Sequence, residues 1–261
     1  MQLGICADPA TLATLPPAAG HDYIEGFTQD VLVPERPEAE FAARAAVLRQ
    51  GGQAMPASNR FLPADLKVVG PEVDDARLDR YAATTFRRAR EIGMSLVVFG
   101  SAGARMVPEG FSEARAFEQY VAALRRFGPL AEAQGVLLLV EPLNRAECNL
   151  VNTIAEGAEA VRRANSPAVK LLVDIFHMLR NDESPDTIAP AGPLVRHAHL
   201  AENRDRAAPG THGEDFRPFL RALRGAGYDR RLTIEADWTD LPRQAGPALA
   251  AVRAQLADAG Y

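Results

Sequence analysis

Lysine is almost missing from this chain. Lys67 and Lys170 are the only two, and arginine supplies the rest of the 29 basic residues. A codon or genome bias accounts for that, and no function follows from it. The basic residues form no block, and the net charge is −5. A nucleic-acid partner needs a basic face, so that class is set aside. Cysteine is limited to Cys6 and Cys148 without CxxC spacing, which implies a reducing compartment and no disulfide framework. No apolar run approaches the roughly 20 residues of a membrane span, so no membrane partner is expected. Met1 leads straight into MQLGICAD, a strand-like run with no basic and apolar leader before it, and a cytoplasmic location is the expectation. Phosphate loops of the GxGxxG or GKS type are absent. No Ser-His-Asp or Cys-His arrangement stands out.

What is present is alternation. Apolar runs at 2–7, 23–27, 53–58, 96–101, 136–141, 169–174, 195–200 and 231–236 read as strands. Helical spacing separates several of them. Phe117, Tyr120, Val121 and Leu124 form one stripe, closed by Gly135; Phe216, Phe219, Leu220 and Leu223 form another. Leu78, Tyr81, Ala82 and Thr85 give a weaker stripe ending at Gly93, and Leu249, Val252 and Leu256 mark the last helix. The first and sixth helical stretches, ATLATLPPAAG and SPDTIAPAGP, are short or broken by proline and are expected to be one or two turns, or irregular. Eight β/α pairs without a linker, in 261 residues with 47% hydrophobic content, predict an α/β protein: a (β/α)8 TIM barrel, one domain over 1–261.

In such a barrel chemistry sits at the C-terminal ends of the strands. Strand five ends VLLLVE at Glu141, strand six VKLLVD at Asp174; strand seven, VRHAHLAEN, carries His197, His199 and Glu202, and strand eight, RLTIEADW, carries Glu235. Glu141, Asp174, His199 and Glu235 are each about one β/α unit apart. A single acid at a strand tip needs only water to satisfy it. Four polar groups at matched height on adjacent strands would include three acids repelling one another, so a shared cation is the better account. Three carboxylates and an imidazole suit one divalent ion, Mn²⁺ first, with Mg²⁺, Co²⁺ or Zn²⁺ as alternatives. His197 shares a strand face with His199 but lies deeper, as a hydrogen-bonded core histidine. His177, three residues past Asp174 in the following loop, reads either as a capping histidine or as part of a lined pocket. Glu147 could form a surface pair with Arg145, worth little. Arg105, closing VFGSAGAR, could bind an anion or brace its loop. Lys170 starts strand six, at the wrong end for a Schiff base.

EPLN, DIFHM, the HxH of strand seven and the TIE of strand eight resemble the sugar phosphate isomerase/epimerase superfamily, with its xylose isomerase-like barrel, and within it the ketose 3-epimerases. The resemblance covers essentially the whole chain. It implies an isomerase acting on a small-molecule sugar or keto acid, and it allows a homo-oligomer. It implies a metal held by Glu141, Asp174, His199 and Glu235, with Glu141 and Glu235 also the acid/base pair, one on each face of the sugar. It carries Glu147 and His177 over as substrate contacts. The family's arginine after the strand-seven histidine falls by count on Asp205, flanked by Arg204 and Arg206, and Arg204 is the expected contact. His212 in PGTHGEDF stands where a glycine is frequent.

Other reactions share such a site: a hydroxypyruvate-type isomerase, a keto-inositol dehydratase, or an apurinic-site endonuclease-like hydrolase. The last wants more histidines than the five here and a basic groove. A binding protein that has lost catalysis has no reason to keep both glutamates. ADWTDLPRQAG lacks a phosphate-binding glycine loop, which favours an unphosphorylated sugar or a small keto acid.

Overall fold

The apolar runs that end in acids are strands of one closed sheet. The structure, a computed structural model, describes residues 1–16 and 19–261. Its strands, all parallel, pair in chain order: β1 (Gln2–Cys6), β2 (Tyr23–Phe27), β3 (Ala57–Asn59), β4 (Leu96–Phe99), β5 (Leu137–Val140), β6 (Val169–Asp174), β7 (Val195–Leu200) and β8 (Arg231–Ile234), which returns to pair with β1. This is the (β/α)8 barrel expected. The third strand is shorter and later than the apolar run at 53–58 suggests.

Around the sheet run α1 (Pro9–Leu12), α2 (Thr28–Val31), α3 (Glu38–Gly51), α4 (Asp75–Glu91), α5 (Ala102–Arg105), α6 (Glu113–Glu132), α7 (Ile154–Ala164), α8 (Ile175–Arg180), α9 (Arg217–Gly225) and α10 (Leu241–Ala259). The expected stripes face the strands. Leu78, Tyr81, Ala82 and Thr85 of α4 are buried, as are Tyr120, Val121 and Leu124 of α6, while Phe117 is only partly so. Asp74 caps α4 by accepting from the Arg77 N–H (2.9 Å), and Gly93 takes the left-handed φ of +77° that turns the chain into β4. The first helix is one turn, α1; Pro17 and Ala18 of that stretch lie outside the described residues. The proline-broken sixth stretch is two short 3₁₀ turns, Pro185–Thr187 and Ala189–Leu194. No helix among the described residues is long and apolar enough to cross a membrane.

The barrel interior has two chemical halves. Ala57, Leu96, Val98, Leu139 and Leu172 fill the side built by β3 to β6. Opposite them, Glu25 of β2, His197 and His199 of β7 and Thr233 of β8 are all fully buried. Pairing of Asp174 with His199, and of His199 with Thr233, keeps the polar side chains of neighbouring strands in register.

Candidate metal centre

Each ligand candidate is placed by backbone. Glu141 is the residue after β5, Asp174 ends β6, His199 points inward from β7, and Glu235 follows β8. One ligand atom from each lies within 4.8 Å of the others, and all four residues are buried. Asp174 uses Oδ1 to accept the Phe176 N–H (2.8 Å) and cap α8, which leaves Oδ2 for the centre. A Cβ at Gly100 would run into Glu141 Oε2, so the small residue closing β4 makes room for that carboxylate.

The cluster fits a divalent ion on its own chemistry. Asp174 Oδ2 and Glu141 Oε1 are buried oxygens without a hydrogen-bond partner. An orphaned buried carboxylate oxygen is costly unless a cation satisfies it. Burial and then the neighbouring Glu141 charge push Asp174 up to about 7, and burial raises Glu141 above the ordinary carboxylate range. Burial would raise Glu235 as well, but the charges of Arg206 and His199 outweigh it and bring Glu235 down to about 2.

His199 is oriented from behind. Its Nε2 lies 3.1 Å from Glu25 Oε1, and its Nδ1 faces Glu235 Oε2 at 3.1 Å and Glu141 Oε1 at 3.4 Å. Glu25 also meets His197 Nε2 (2.9 Å) and accepts from the Thr233 hydroxyl (2.7 Å), which Tyr23 OH meets in turn at 2.8 Å. His197 is thus the hydrogen-bonded core histidine expected.

A cavity of about 330 Å³ opens over the cluster, with Glu141, Glu147, His177, Arg206 and Glu235 in its wall. His177 lies within α8, not in a loop. Its Nδ1 accepts from the Asn144 backbone N–H at 3.2 Å and meets the Asn144 amide at 2.9 Å, and its Nε2 sits 3.5 Å from Asp174 Oδ2. Burial, then the charge of Arg206, holds it well below the usual histidine range, so it is neutral. The Asn144 amide also donates to Glu147 Oε1 at 2.8 Å, and one side chain therefore positions both expected contacts. Glu147 faces Arg206 (3.8 Å) rather than Arg145.

Of the two arginines flanking Asp205, the structure turns the expected Arg204 away from the cavity and Arg206 into it. The Arg204 side chain is 75% exposed and turns to Asp205. Asp205 and Arg206 both take left-handed backbone, with φ of 59° and 46°, and this double turn swings Arg206 into the cavity. There it stacks on Phe176, reaches Glu235 Oε2 at 2.8 Å and lies 3.8 Å from Asp174 Oδ2.

The match to the xylose isomerase-like TIM barrel spans residues 17–256. The chain belongs to that family. Among curated relatives, a D-psicose 3-epimerase of Agrobacterium fabrum is 34% identical over 116 residues, which is 44% of this chain and 40% of that protein. An L-ribulose 3-epimerase of Mesorhizobium japonicum is 36% identical over 118 residues, 44% of this chain and 39% of the other. The chain thus matches less than half the length of these relatives. In overall shape it is similar to a crystal structure of D-psicose 3-epimerase in the presence of D-fructose, with TM-score 0.83 at 22% identity, covering 98% of this chain and 99% of that one.

Within this family barrel, several residues that the sequence left undecided take clear places. Arg105 is a brace: fully buried, it donates to Glu141 O (2.6 Å) and Phe99 O (3.3 Å). Glu202 accepts from the N–H groups of Gly210 (2.7 Å), His212 (2.6 Å) and Gly213 (3.2 Å), and so fixes the loop that carries His212. Two partners escaped the sequence reading. Asn59, at the tip of β3, donates to Glu235 Oε1. Glu25 sits inside YIEGF, where an acid amid an apolar strand was the available signal.

Proposed function

We propose that the protein is a metal-dependent ketose epimerase that works through an enediolate. One observation carries the reading: two glutamates, on strands three apart around the barrel, line one cavity and converge with Asp174 and His199 on a point where two buried carboxylate oxygens lack partners. Glu141, Asp174, His199 through Nδ1, and Glu235 would hold the ion, with Mn²⁺ the best match to the donors. When bound, the ion supplies electrophilic stabilisation of the negative charge that develops on the carbonyl oxygen.

The side chains do the rest. One glutamate takes the proton from the carbon beside the carbonyl, and the C–H pair moves to form the enediolate. The other glutamate returns a proton to the same carbon from the opposite face, which inverts it. Arg206 holds Glu235 ionised, as a base requires. His177 is neutral with Nδ1 occupied by Asn144, so its Nε2–H is left to donate to a substrate oxygen. Glu147 accepts from a substrate hydroxyl. Positioned acid–base groups contribute about 10²- to 10⁴-fold each. A small sugar as substrate agrees with the relatives being a D-psicose 3-epimerase and an L-ribulose 3-epimerase.

Glu235→Gln tests the two-face mechanism. Glutamine keeps the shape and is a very poor base, so epimerisation should fall at least about 10²-fold while metal stays bound. Exchange of the substrate proton with D₂O should survive from one epimer, through Glu141, and vanish from the other. Equal exchange from both epimers would mean one base serves both directions, and the reading would change to a one-base isomerase.

A further inference from the structure

The cavity over the cluster has a neighbour. A second lobe of about 320 Å³ adjoins it on the side of β1 and β8, lined in part by Cys6, Asp8, Phe27 and Trp238. Arg60, Arg206 and Glu235 border both lobes. Arg206 is committed to Glu235, and Arg105 to backbone carbonyls. Arg60 is not committed: among the described residues its guanidinium has no carboxylate partner, although it is held in place.

The hold is specific. The guanidinium carbon lies 3.9 Å from the centre of the Phe27 ring. The backbone of Arg60 is left-handed, with φ of 54°, a conformation an arginine rarely adopts. The Gln29 amide secures the turn by donating to Arg60 O (3.0 Å) and Leu62 O (3.1 Å), and the Arg60 N–H donates to Asn59 Oδ1 (2.6 Å). Asn59 in turn donates to Glu235. A strained, stacked and unneutralised cation thus stands one residue away from a partner of the proposed base.

We propose that this lobe is a subsite for an anionic group at the end of the substrate remote from the metal-binding carbons, with Arg60 as its receptor. The inference rests on the epimerase reading and names the substrate class. A planar guanidinium with five N–H donors matches a carboxylate bidentately. A phosphate fits the lobe less well. Asp8 and Asp237 also line it, so a singly charged carboxylate meets less repulsion there than a phosphate of nearly twice the charge, and the helix ends that could have offset that charge are already capped by acids, α1 by Asp8 and α10 by Asp240. The favoured substrate class is therefore a ketose bearing a carboxylate.

D-fructose, D-fructuronate and D-fructose 6-phosphate share one ketose skeleton and test this with metal-loaded wild type and Arg60→Gln. D₂O exchange should favour D-fructuronate over D-fructose in kcat/KM by at least about 10-fold, with the difference in KM, and Arg60→Gln should erase that ratio. A ratio near one in wild type, or one unchanged in Arg60→Gln, overturns the subsite. A preference for D-fructose 6-phosphate over D-fructuronate overturns the choice of carboxylate. If none of the three exchanges its proton, the epimerase reading fails, and calorimetric titration of D-fructuronate still decides the subsite. At least about 10-fold tighter binding to wild type than to Arg60→Gln supports it, and equal binding overturns it.

Discussion

Glu25 Oε1 lies 3.1 Å from His199 Nε2, on the side of the ring turned away from Glu141 and Glu235. Burial alone would lower His199, but the carboxylates of Glu25, Glu141 and Glu235 on both sides of the ring raise it well above the usual histidine range, so that a bound ion would take the place of the Nδ1 proton while Glu25 keeps the one on Nε2. Glu25 stays ionised despite full burial because His199 and His197 together hold its carboxyl well below the usual range.

Glu25→Gln should therefore weaken metal binding about 10- to 100-fold without removing any ligand. Mn²⁺ titration of the metal-free protein by calorimetry reads the affinity directly. An unchanged affinity would show that His199 needs no backing carboxylate.

Arg206→Ala and Arg204→Ala separate the two arginines. Arg206 makes charge-assisted bonds to Glu235, worth about 1.5–3 kcal/mol, and its loss should cost at least about 10-fold in kcat/KM. Arg204 is exposed and should change it less than about twofold. Equal losses in the two variants would mean the loop rearranges when substrate binds.

How far the sequence alone leads can be read from these residues. Glu141, Asp174 and Glu235 are legible because each closes or follows an apolar run, and His199 because it is the outer member of an HxH pair near the end of its strand; a barrel puts all such positions at one mouth. The count falls on Asp205 and cannot choose between Arg204 and Arg206, because two successive left-handed residues decide which of them enters the cavity. Glu25 is hidden because its partners lie 172 and 174 residues away, on a strand that only barrel closure brings near. α3 shows no stripe because it buries little beyond Phe41 and Ala45. His177 looks like a loop residue, since the helix that holds it is six residues long.

Asn144→Ala removes the amide shared by His177 and Glu147 and touches no metal ligand. KM should rise about 10-fold or more with metal content unchanged, and His177→Ala and Glu147→Ala should behave alike. Loss of metal from either single variant, measured by elemental analysis, would place that residue among the ligands.

The central claim is that this cluster, loaded with one divalent ion, moves a proton on the carbon beside a ketone. Incubation of the metal-loaded protein with ketoses in D₂O, followed by mass or NMR detection of deuterium at that carbon, tests it most directly. The account predicts about one ion per chain, deuterium incorporation, its loss on exhaustive chelation, and its return with Mn²⁺, Co²⁺ or Mg²⁺. Full exchange by protein shown to be free of metal would contradict it.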